Sequence, residues 1–413
     1  MTVAQGRGAR LRLLVLLSAC TAIGPISLNV YLPGLPAVQA EFAVSLAEVQ
    51  TTVSMSLLAF GLGLVALGPL SDQFGRRPIL LWGLALCGAG SLLAMLAPDV
   101  LVLTIARMLQ SAGAAVAFIC ARAVVADITP REQLQRSVAQ VTMIMLVAQM
   151  AAPLLGNVAL ALGGWRSIQL ALLLVCALLF WLSARKLRET LPASDEPRGF
   201  APGWSTALFK PSAALLLQPR FNAQMVQAGL LYSAYPAFIA IAPHLMIEAF
   251  DRPASEYGYY FAFLPIGYFA GNWLVLHVGH RLGAHRLVFG GCLFATLSCA
   301  LGVIVLDQGI WHPLALFLPA GLLLNLGMGM ALPSVSARAI GDAWPNTASA
   351  WGLVGFSQQF LAACSVQLLG YFSSESPFPV VWLCGALTLL ALLMESVVSR
   401  LNPAGTRASH PIP

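Results

Sequence analysis

Residues Gly68 to Pro78, which read G-P-L-S-D-Q-F-G-R-R-P, form a short polar stretch between two long apolar runs. Each flanking run is long enough to cross a bilayer as a helix, so the stretch is predicted to be a tight turn at a membrane surface. Asp72 places a carboxylate at the end of the first helix, and Gly75 supplies a flexible turn. Arg76 and Arg77 follow directly and precede the next helix. The turn therefore marks one face of a membrane protein.

Apolar runs recur along nearly the whole chain of 413 residues, which is 59% hydrophobic and only 9% charged. A transmembrane helix needs about 20 mostly apolar residues. This composition excludes a soluble protein and predicts an all-α polytopic membrane protein with twelve transmembrane helices. The predicted spans lie near residues 13–33, 49–70, 79–97, 101–124, 137–162, 166–184, 221–247, 256–277, 287–306, 313–336, 348–371 and 378–397.

The positions of the basic residues predict the orientation of the chain. Of the 22 Lys and Arg residues, only Arg166 and Arg252 fall in loops on the side opposite the amino terminus. Arg107 and Arg122 lie within a span. Because Lys and Arg concentrate in cytoplasmic loops, both termini are expected in the cytoplasm. The net charge of +6 then reflects topology, and no nucleic-acid partner is expected.

No cofactor, metal or nucleotide site is expected. The eight cysteines fall within predicted spans, and none forms a C-x-x-C pair. His277, His280 and His285 share a loop without an acidic or thiol ligand, which argues against a metal site. The lysines are Lys186 and Lys210, and neither belongs to a G-x-x-x-x-G-K-[ST] loop, so a nucleotide-driven pump is excluded.

The longest polar stretch, Arg185 to Arg220, divides the twelve spans into two sets of six. It contains an amphipathic piece, Trp204 to Leu217, which is expected to lie along the membrane surface. A faint internal repeat supports the division, because the loop Val278 to Arg286 occupies the place of Leu70 to Arg77 but has no acid. The predicted domains are residues 1–185 and 220–400, joined by a linker of residues 186–219 and followed by a tail of residues 401–413.

Polar residues gather in eight spans, whereas spans three, six, nine and twelve are apolar nearly all round. Amides and phenols are costly against lipid, so the eight polar spans are expected to surround a cavity and the other four to be peripheral. The candidate substrate-binding residues are Asn29, Tyr31, Gln110, Gln149, Gln227, Tyr235, Tyr268, Asn325 and Gln358.

Arg107 stands in the apolar part of span four, where a guanidinium is unfavourable by several kcal/mol unless it faces partners or water. Two interpretations stay open. The side chain is either tethered to backbone carbonyls, which locks helix packing, or it takes part directly in function.

Three stretches resemble, in the expected order, motifs of the major facilitator superfamily. Gly68 to Pro78 resembles the signature loop between the second and third helices. The stretch Arg107-Met-Leu-Gln110-Ser resembles the fourth-helix motif, with Ser111 where Gly is usual. Ala152-Pro-Leu-Leu-Gly156 in span five resembles the antiporter motif of drug exporters, with Ala in place of the first Gly.

A fourth stretch, Asn29-Val-Tyr-Leu-Pro-Gly-Leu-Pro36, resembles the twelve-span drug:proton antiporters that confer bicyclomycin and chloramphenicol resistance. In that branch the position of Asn29 is normally Asp. Asn does not titrate, so proton coupling through this position is in doubt. No Asp or Glu lies deep in another predicted span, and Glu395 in span twelve is expected near the membrane interface.

The resemblance implies two six-helix bundles that rock about a central site by alternating access. It implies export of small molecules, such as an amphenicol or bicyclomycin, across the bacterial inner membrane by a monomer, with protons as the coupling ion. Arg107 would couple proton and substrate binding, while Pro153 and Gly156 would let span five bend. In the implied latch, Asp127 pairs with Arg76 or Arg77. Asp127 lies beside Arg122 at the end of span four. Asp72 would lie at the start of helix eleven.

Alternatives remain within and outside transport. A polar cavity without acids fits a neutral or anionic ligand, such as a self-made siderophore, better than a lipophilic cation. Loss of the acid at Asn29 would fit an uncoupled facilitator. An intramembrane enzyme should carry clusters of catalytic carboxylates or histidines, and a receptor should carry a soluble signalling domain; the sequence shows neither, so an enzyme is not expected.

Overall fold

The computed structural model of the protein describes residues 7–66, 71, 74–129, 131–190, 212–253, 256–343, 347–372 and 375–401. For some residues within helices the structure describes the backbone but not the side chain; these are residues 7–11, 131–139, 142, 146, 278–282 and 347–348. Regular structure within the described ranges is helical throughout. The predicted linker falls largely in residues 191–211, outside these ranges, so its amphipathic segment and the domain boundaries stay predictions.

Six α-helices of the first half lie within the described residues. They are α1 (Arg7–Tyr31), α2 (Leu35–Phe42), which follows a 3-10 turn (Leu32–Gly34), α3 (Leu46–Ala66), α4 (Arg76–Met95), α5 (Val100–Ile128) and α6 (Arg131–Lys186).

The second half contains seven α-helices in the described residues. They are α7 (Pro219–Glu248), α8 (Tyr257–Phe261), α9 (Phe263–Asp307), α10 (Pro313–Leu316), which continues through a π-helix (Phe317–Leu323) into α11 (Leu324–Asp342), α12 (Thr347–Leu369) and α13 (Phe378–Arg400).

Ten stretches among the described helices are long and apolar enough to cross a membrane. The sequence predicts twelve spans, and the difference arises because the chain reverses direction within two of the long helices, α6 and α9. At 1.5 Å per residue, the 56 residues of α6 would reach about 84 Å, far more than a bilayer core of about 30 Å. The chain leaves helical geometry at Gly163 and Gly164, which separate a first limb (131–162) from a second limb (165–186). Gly283 interrupts α9 in the same way. Each of these helices therefore holds two predicted spans.

The peripheral position predicted for spans three, six, nine and twelve agrees with the structure. Helices α4, α13, the second limb of α6 and the second part of α9 all present large apolar side chains outward. Such exposure is expected where lipid covers the surface. Examples are Trp82, Leu174, Leu297 and Trp382.

Hydrogen bonds join the two halves towards one end of the molecule. We call the end that carries Arg76, Arg77, Arg185, Lys186 and Arg220 the arginine-rich face, and the other end the opposite face. Towards the opposite face, Gln50 Nε2 in α3 donates to the Ala240 carbonyl in α7 over 2.9 Å. The Ser54 hydroxyl donates to Gln367 Oε1 in α12 over 2.7 Å. These bonds join the halves through α3.

Candidate functional site

A polar junction joins the two halves near the middle of α7 and of the first limb of α6. Gln149 Nε2 in the first limb of α6 donates to the Tyr235 hydroxyl in α7 over 2.9 Å. That hydroxyl in turn donates to Asn29 Oδ1 in α1 at 3.4 Å. Asn29 Nδ2 donates to the Pro25 carbonyl over 2.8 Å, which holds its amide in orientation. The structure thus brings together three of the predicted substrate-binding residues, here named the Tyr235 junction.

Further polar side chains on the second half extend this region. Tyr232 lies one helical turn before Tyr235 and is half-buried, and Gln359 Nε2 in α12 donates to its hydroxyl at 3.4 Å. Tyr268 in α9 and Gln358 in α12 are also half-buried. Asn325 is buried, and its Nδ2 donates to the Gly321 carbonyl within its own turn. The predicted phenols and amides of this half therefore differ in their access to a ligand.

Arg107 is fully buried inside the first half. Its Nη1 donates to the Ser27 carbonyl over 3.3 Å and also to Gln110 Oε1. The guanidinium carbon lies 4.4 Å from the centre of the Tyr31 ring, a cation–π contact. These contacts hold Arg107 against α1 and match the interpretation of an arginine that locks helix packing.

Gln110 and Tyr31 extend the Arg107 cluster to other helices of the first half. Gln110 Nε2 donates to Ser91 Oγ in α4 over 2.6 Å and to Gln169 Oε1 in the second limb of α6 over 3.2 Å. The Tyr31 and Thr52 hydroxyls lie 3.1 Å apart, which adds α3. Tyr31 and Gln110 therefore lie in the packing core around Arg107 and apart from the Tyr235 junction.

At the arginine-rich face, the predicted partnership of Arg76 and Asp127 is present. Arg76 Nε lies 3.3 Å from Asp127 Oδ2, and the Thr190 hydroxyl donates to the same oxygen over 2.9 Å. We call these residues, together with Glu189, the latch cluster. Asp72 lies outside the described residues, so its place at helix eleven stays a prediction.

Glu189 is a member of the latch cluster that the sequence analysis missed. Its carboxylate accepts hydrogen bonds from the backbone N–H groups of Arg76 and Arg77, at 3.0 and 3.1 Å. These groups open α4, and an anion is favourable at the positive end of a helix. The available signal was an acid directly after the basic run that ends span six.

Glu395 lies five residues before the end of α13 at Arg400, and its expected position near the membrane interface stays a prediction. Its side chain is fully buried, and both oxygens bind the guanidinium of Arg338 in α11, at 2.8 and 2.6 Å. Gln227 Nε2 donates to Oε2 over 2.9 Å, and His285 Nδ1 lies 2.6 Å from Oε1. A buried carboxylate is stable when a bidentate arginine and further donors surround it. Gln227 therefore serves this Glu395 cluster, away from the Tyr235 junction.

The latch cluster and the Glu395 cluster occupy equivalent places in the two halves. Each joins the start of the third helix of its half to the ends of the fourth and sixth helices. The charge on the fourth helix is reversed, because Arg338 stands where the first half has Asp127. Glu395, from the sixth helix of the second half, corresponds to Glu189 in the first half.

The antiporter-like motif in α6 packs directly against α1. Pro153 and Gly156 are both buried, and a Cβ atom on Gly156 would overlap the carbonyl oxygen of Val30. Val30 is the neighbour of Asn29, so this close approach lies beside the Tyr235 junction. The bend predicted for span five therefore coincides with the contact between α6 and α1.

Arg122 and His244 are basic side chains that lie in the spans without polar partners among the described residues. Arg122 in α5 is half-buried, and its guanidinium carbon lies 4.5 Å from the centre of the Phe118 ring. Its Nε is buried without a hydrogen-bond partner. His244 in α7 is 1% exposed, and both its ring nitrogens lack a partner.

Comparison with known proteins places the fold and the motifs in one family. The family model of the Major Facilitator Superfamily matches residues 17–365. The chain belongs to the Major Facilitator Superfamily. It is therefore a membrane transporter and not an enzyme.

Relatives of this transporter include drug-resistance proteins. It is 28% identical over 407 residues to Multidrug resistance protein D of Escherichia coli (strain K12), with 98% of each chain covered. It is 21% identical over 384 residues to the Bicyclomycin resistance protein homolog of Haemophilus influenzae, with 91% of this chain and 93% of the relative covered. The predicted resemblance to the drug-efflux branch is confirmed.

Solved structures support the fold of the transporter. The peptide transporter POT in complex with sulfate gives a TM-score of 0.75 at 14% identity, with 95% of this chain and 94% of that chain covered. The D-xylose-proton symporter gives 0.71 at 16% identity, with 94% and 97% covered. At these identities the likeness concerns the all-α polytopic fold alone.

Proposed function

We propose that this transporter exports small drug-like molecules from the cytoplasm across the bacterial inner membrane by alternating access, in exchange for protons. The observation that carries the proposal is the Tyr235 junction, where side chains of both halves meet at the middle of the spans. Central sites between two repeats are the general arrangement of secondary transporters. The arginine-rich face is then cytoplasmic, together with both termini.

The distribution of polar contacts supports rocking of two rigid halves. The latch cluster ties helix ends of the first half to each other, and the Glu395 cluster does the same in the second half. Neither cluster joins one half to the other, so both persist while the halves move. The bonds of Gln50 to Ala240 and of Gln149 to Tyr235 do cross between the halves, and they would break when the opposite face opens.

The substrate class follows from the relatives and from the neutral groups of the junction. Relatives carry the names of multidrug and bicyclomycin resistance proteins. Asn29, Gln149 and Tyr235 offer neutral donors and acceptors, which suit hydroxyl, amide and carbonyl groups of an amphenicol or bicyclomycin. The same groups also suit a neutral or anionic metabolite such as a siderophore, which is the second candidate.

The proton must use a group other than position 29, because Asn29 does not titrate. Candidate carriers are Asp127, Asp72, which lies outside the described residues, and His244. His244 is attractive because its imidazole is buried and unpartnered. An uncoupled facilitator remains the alternative if none of these groups exchanges protons.

The test is uptake into everted membrane vesicles of chloramphenicol, bicyclomycin and an iron-free siderophore, with the pH gradient intact or collapsed by an ionophore. Vesicles that carry the Gln149→Ala/Tyr235→Ala double variant serve as the control. Gradient-dependent uptake of any compound, lost in the control, supports proton-coupled export. Uptake that ignores the gradient would refute proton coupling, and no uptake beyond the control would refute export of these compounds.

A further inference from the structure

Arg122 has contacts unlike those of the arginines that pair with a carboxylate, and unlike those of Arg107, the other arginine within a predicted span. Arg76, Arg166, Arg220 and Arg338 each pair with a carboxylate. Arg107 binds a backbone carbonyl and an amide, as described above. Arg122 has an aromatic ring as neighbour and no polar partner among the described residues.

The position of Arg122 is inside the protein and away from the ends of the helix. It lies six residues before the end of α5 at Ile128, or about 9 Å along the helix axis. A guanidinium at this depth is unfavourable against hydrocarbon unless it meets water or an anion. Its half-buried state leaves part of the charged group accessible to a ligand.

Aromatic rings from two helices line one side of Arg122. Phe118 lies one turn before Arg122 and packs edge-on against Phe60 of α3, with ring centres 5.9 Å apart. Phe60 itself lies against α1, because a Cβ on Gly24 would overlap its ring. Helices α1, α3 and α5 thus build an apolar wall beside a cation. We call Arg122, Phe118 and Phe60 the arginine–phenylalanine wall.

This wall borders the contact between the two halves. Gly61, the residue after Phe60, lies so close to α12 that a Cβ on it would be 2.9 Å from Gln359 Cβ. Gln359 in turn donates to the Tyr232 hydroxyl at 3.4 Å, one turn from the Tyr235 junction. The wall is therefore connected to the polar groups of the proposed substrate site through Gly61, the residue next to Phe60.

The chemistry of these groups selects a ligand class. Guanidinium recognises carboxylates through two parallel hydrogen bonds, and partial burial strengthens that attraction. The phenylalanine rings suit the apolar body of the same ligand. The neighbouring side chains named above, Asn29, Gln149, Tyr232, Tyr235 and Gln359, are all neutral and do not compete for the arginine.

We propose that the transporter recognises amphipathic organic anions, with Arg122 binding the carboxylate and Phe118 and Phe60 contacting the apolar body. This inference rests on the proposed export function and narrows its substrate class. It opposes the alternative of a lipophilic cation, which Arg122 would repel.

The test is equilibrium binding to the purified full-length transporter in detergent, followed by probe fluorescence. The probes share one fluorophore and differ in charge: dansyl-glycine is an anion, dansyl-glycinamide is neutral and dansylcadaverine is a cation. The variants are Arg122→Gln, Arg122→Lys and, as the matched control, Arg185→Gln. Arg185 also lies over an aromatic ring, 4.6 Å from the Trp181 centre, but at the exposed arginine-rich face.

The wild type and Arg185→Gln are expected to bind dansyl-glycine at least about tenfold more tightly than dansyl-glycinamide, as a charge-assisted hydrogen bond allows. Arg122→Gln should lose this preference while its affinity for dansyl-glycinamide stays unchanged. Arg122→Lys should keep part of the preference, because the charge remains and the bidentate geometry is lost. Unchanged amide binding also shows that the variant is folded.

Equal affinity of the wild type for the anion and the amide would overturn the inference, as would a preference that survives in Arg122→Gln. Failure of the export proposal is recognised separately. Binding needs no transport, so a preference for the anion without uptake into vesicles would refute export and leave the role of Arg122 intact. Uptake of chloramphenicol without any preference for the anion would support export and refute the role of Arg122.

Discussion

Gln149 in α6 donates a 2.9 Å hydrogen bond to the hydroxyl of Tyr235 in α7, and this bond links the two halves of the transporter near the middle of both spans. Tyr235 also reaches Asn29 in α1, so one phenol connects three helices. A hydrogen bond between neutral groups is modest in net free energy. It therefore suits a contact that must break in every transport cycle.

The Tyr235→Phe variant should lower the apparent thermal stability of the purified transporter. Removing the hydroxyl leaves the half-buried Gln149 amide and the buried Asn29 carbonyl oxygen without this partner, at a cost of about 1–3 kcal/mol. Thermal unfolding in detergent measures the effect, with Tyr371→Phe as control because Tyr371 is 73% exposed. Equal melting temperatures for both variants would show that the junction adds no stability.

The Glu395→Gln variant should be strongly destabilised. It leaves the guanidinium of Arg338 with no compensating charge in a buried place, and breaking a buried ion pair costs about 3–5 kcal/mol. The double variant Glu395→Gln/Arg338→Gln should recover part of the loss, because both charges are removed. A double variant less stable than Glu395→Gln, in the same thermal unfolding assay, would contradict this account.

Transport, more than stability, should respond to the Asp127→Asn variant. The pair of Arg76 and Asp127 is partly exposed, so its net stabilisation is only about 0–1 kcal/mol. If the latch cluster holds the first half rigid during rocking, vesicle uptake should fall several-fold at normal protein abundance. Asp342→Asn is the matched control, since Asp342 forms a similarly exposed pair with Arg220 in the second half. A similar loss of uptake in both variants would contradict a specific role of the latch cluster in transport.

The Gly156→Ala variant should impair both stability and uptake. The added methyl group would overlap the Val30 carbonyl and push α6 away from α1, beside Asn29. Gly290→Ala provides the control, because a Cβ there meets nothing within 4 Å and alanine favours the helix by up to about 1 kcal/mol. We expect a lower melting temperature for the first variant and an equal or higher one for the second. Tolerance of Gly156→Ala would mean that the helices separate there without penalty.

Sequence reasoning located the charged clusters at the arginine-rich face only in part. It paired Asp127 with the arginines of the loop because the superfamily motif places them together. It missed the Glu395 cluster, whose bonds join residues 57 to 168 positions apart in the chain. The partners His285, Arg338 and Gln227 all lie far from Glu395 in the chain, so no local pattern indicates the cluster.

Sequence reasoning also could not show which of the predicted substrate-binding residues lie together. Asn29, Gln149 and Tyr235 meet in the structure, whereas Tyr31 and Gln110 pack around Arg107 and Gln227 binds Glu395. All six are polar residues in polar spans, so their composition does not distinguish them. The direction in which each side chain leaves its helix depends on how the helices rotate against each other.

The sequence by itself determined that the chain is an all-α membrane transporter of this superfamily, with twelve predicted spans and four peripheral ones. Span number and lipid exposure depend on local hydropathy, and the motif loop Gly68 to Pro78 is a local pattern. Only the tertiary structure decided that Arg107 contacts Ser27, Gln110 and Tyr31 within the first half, and that Arg122 has no polar partner among the described residues. Those outcomes depend on contacts between distant spans, where a buried charge is stable only if the packing brings a partner to it.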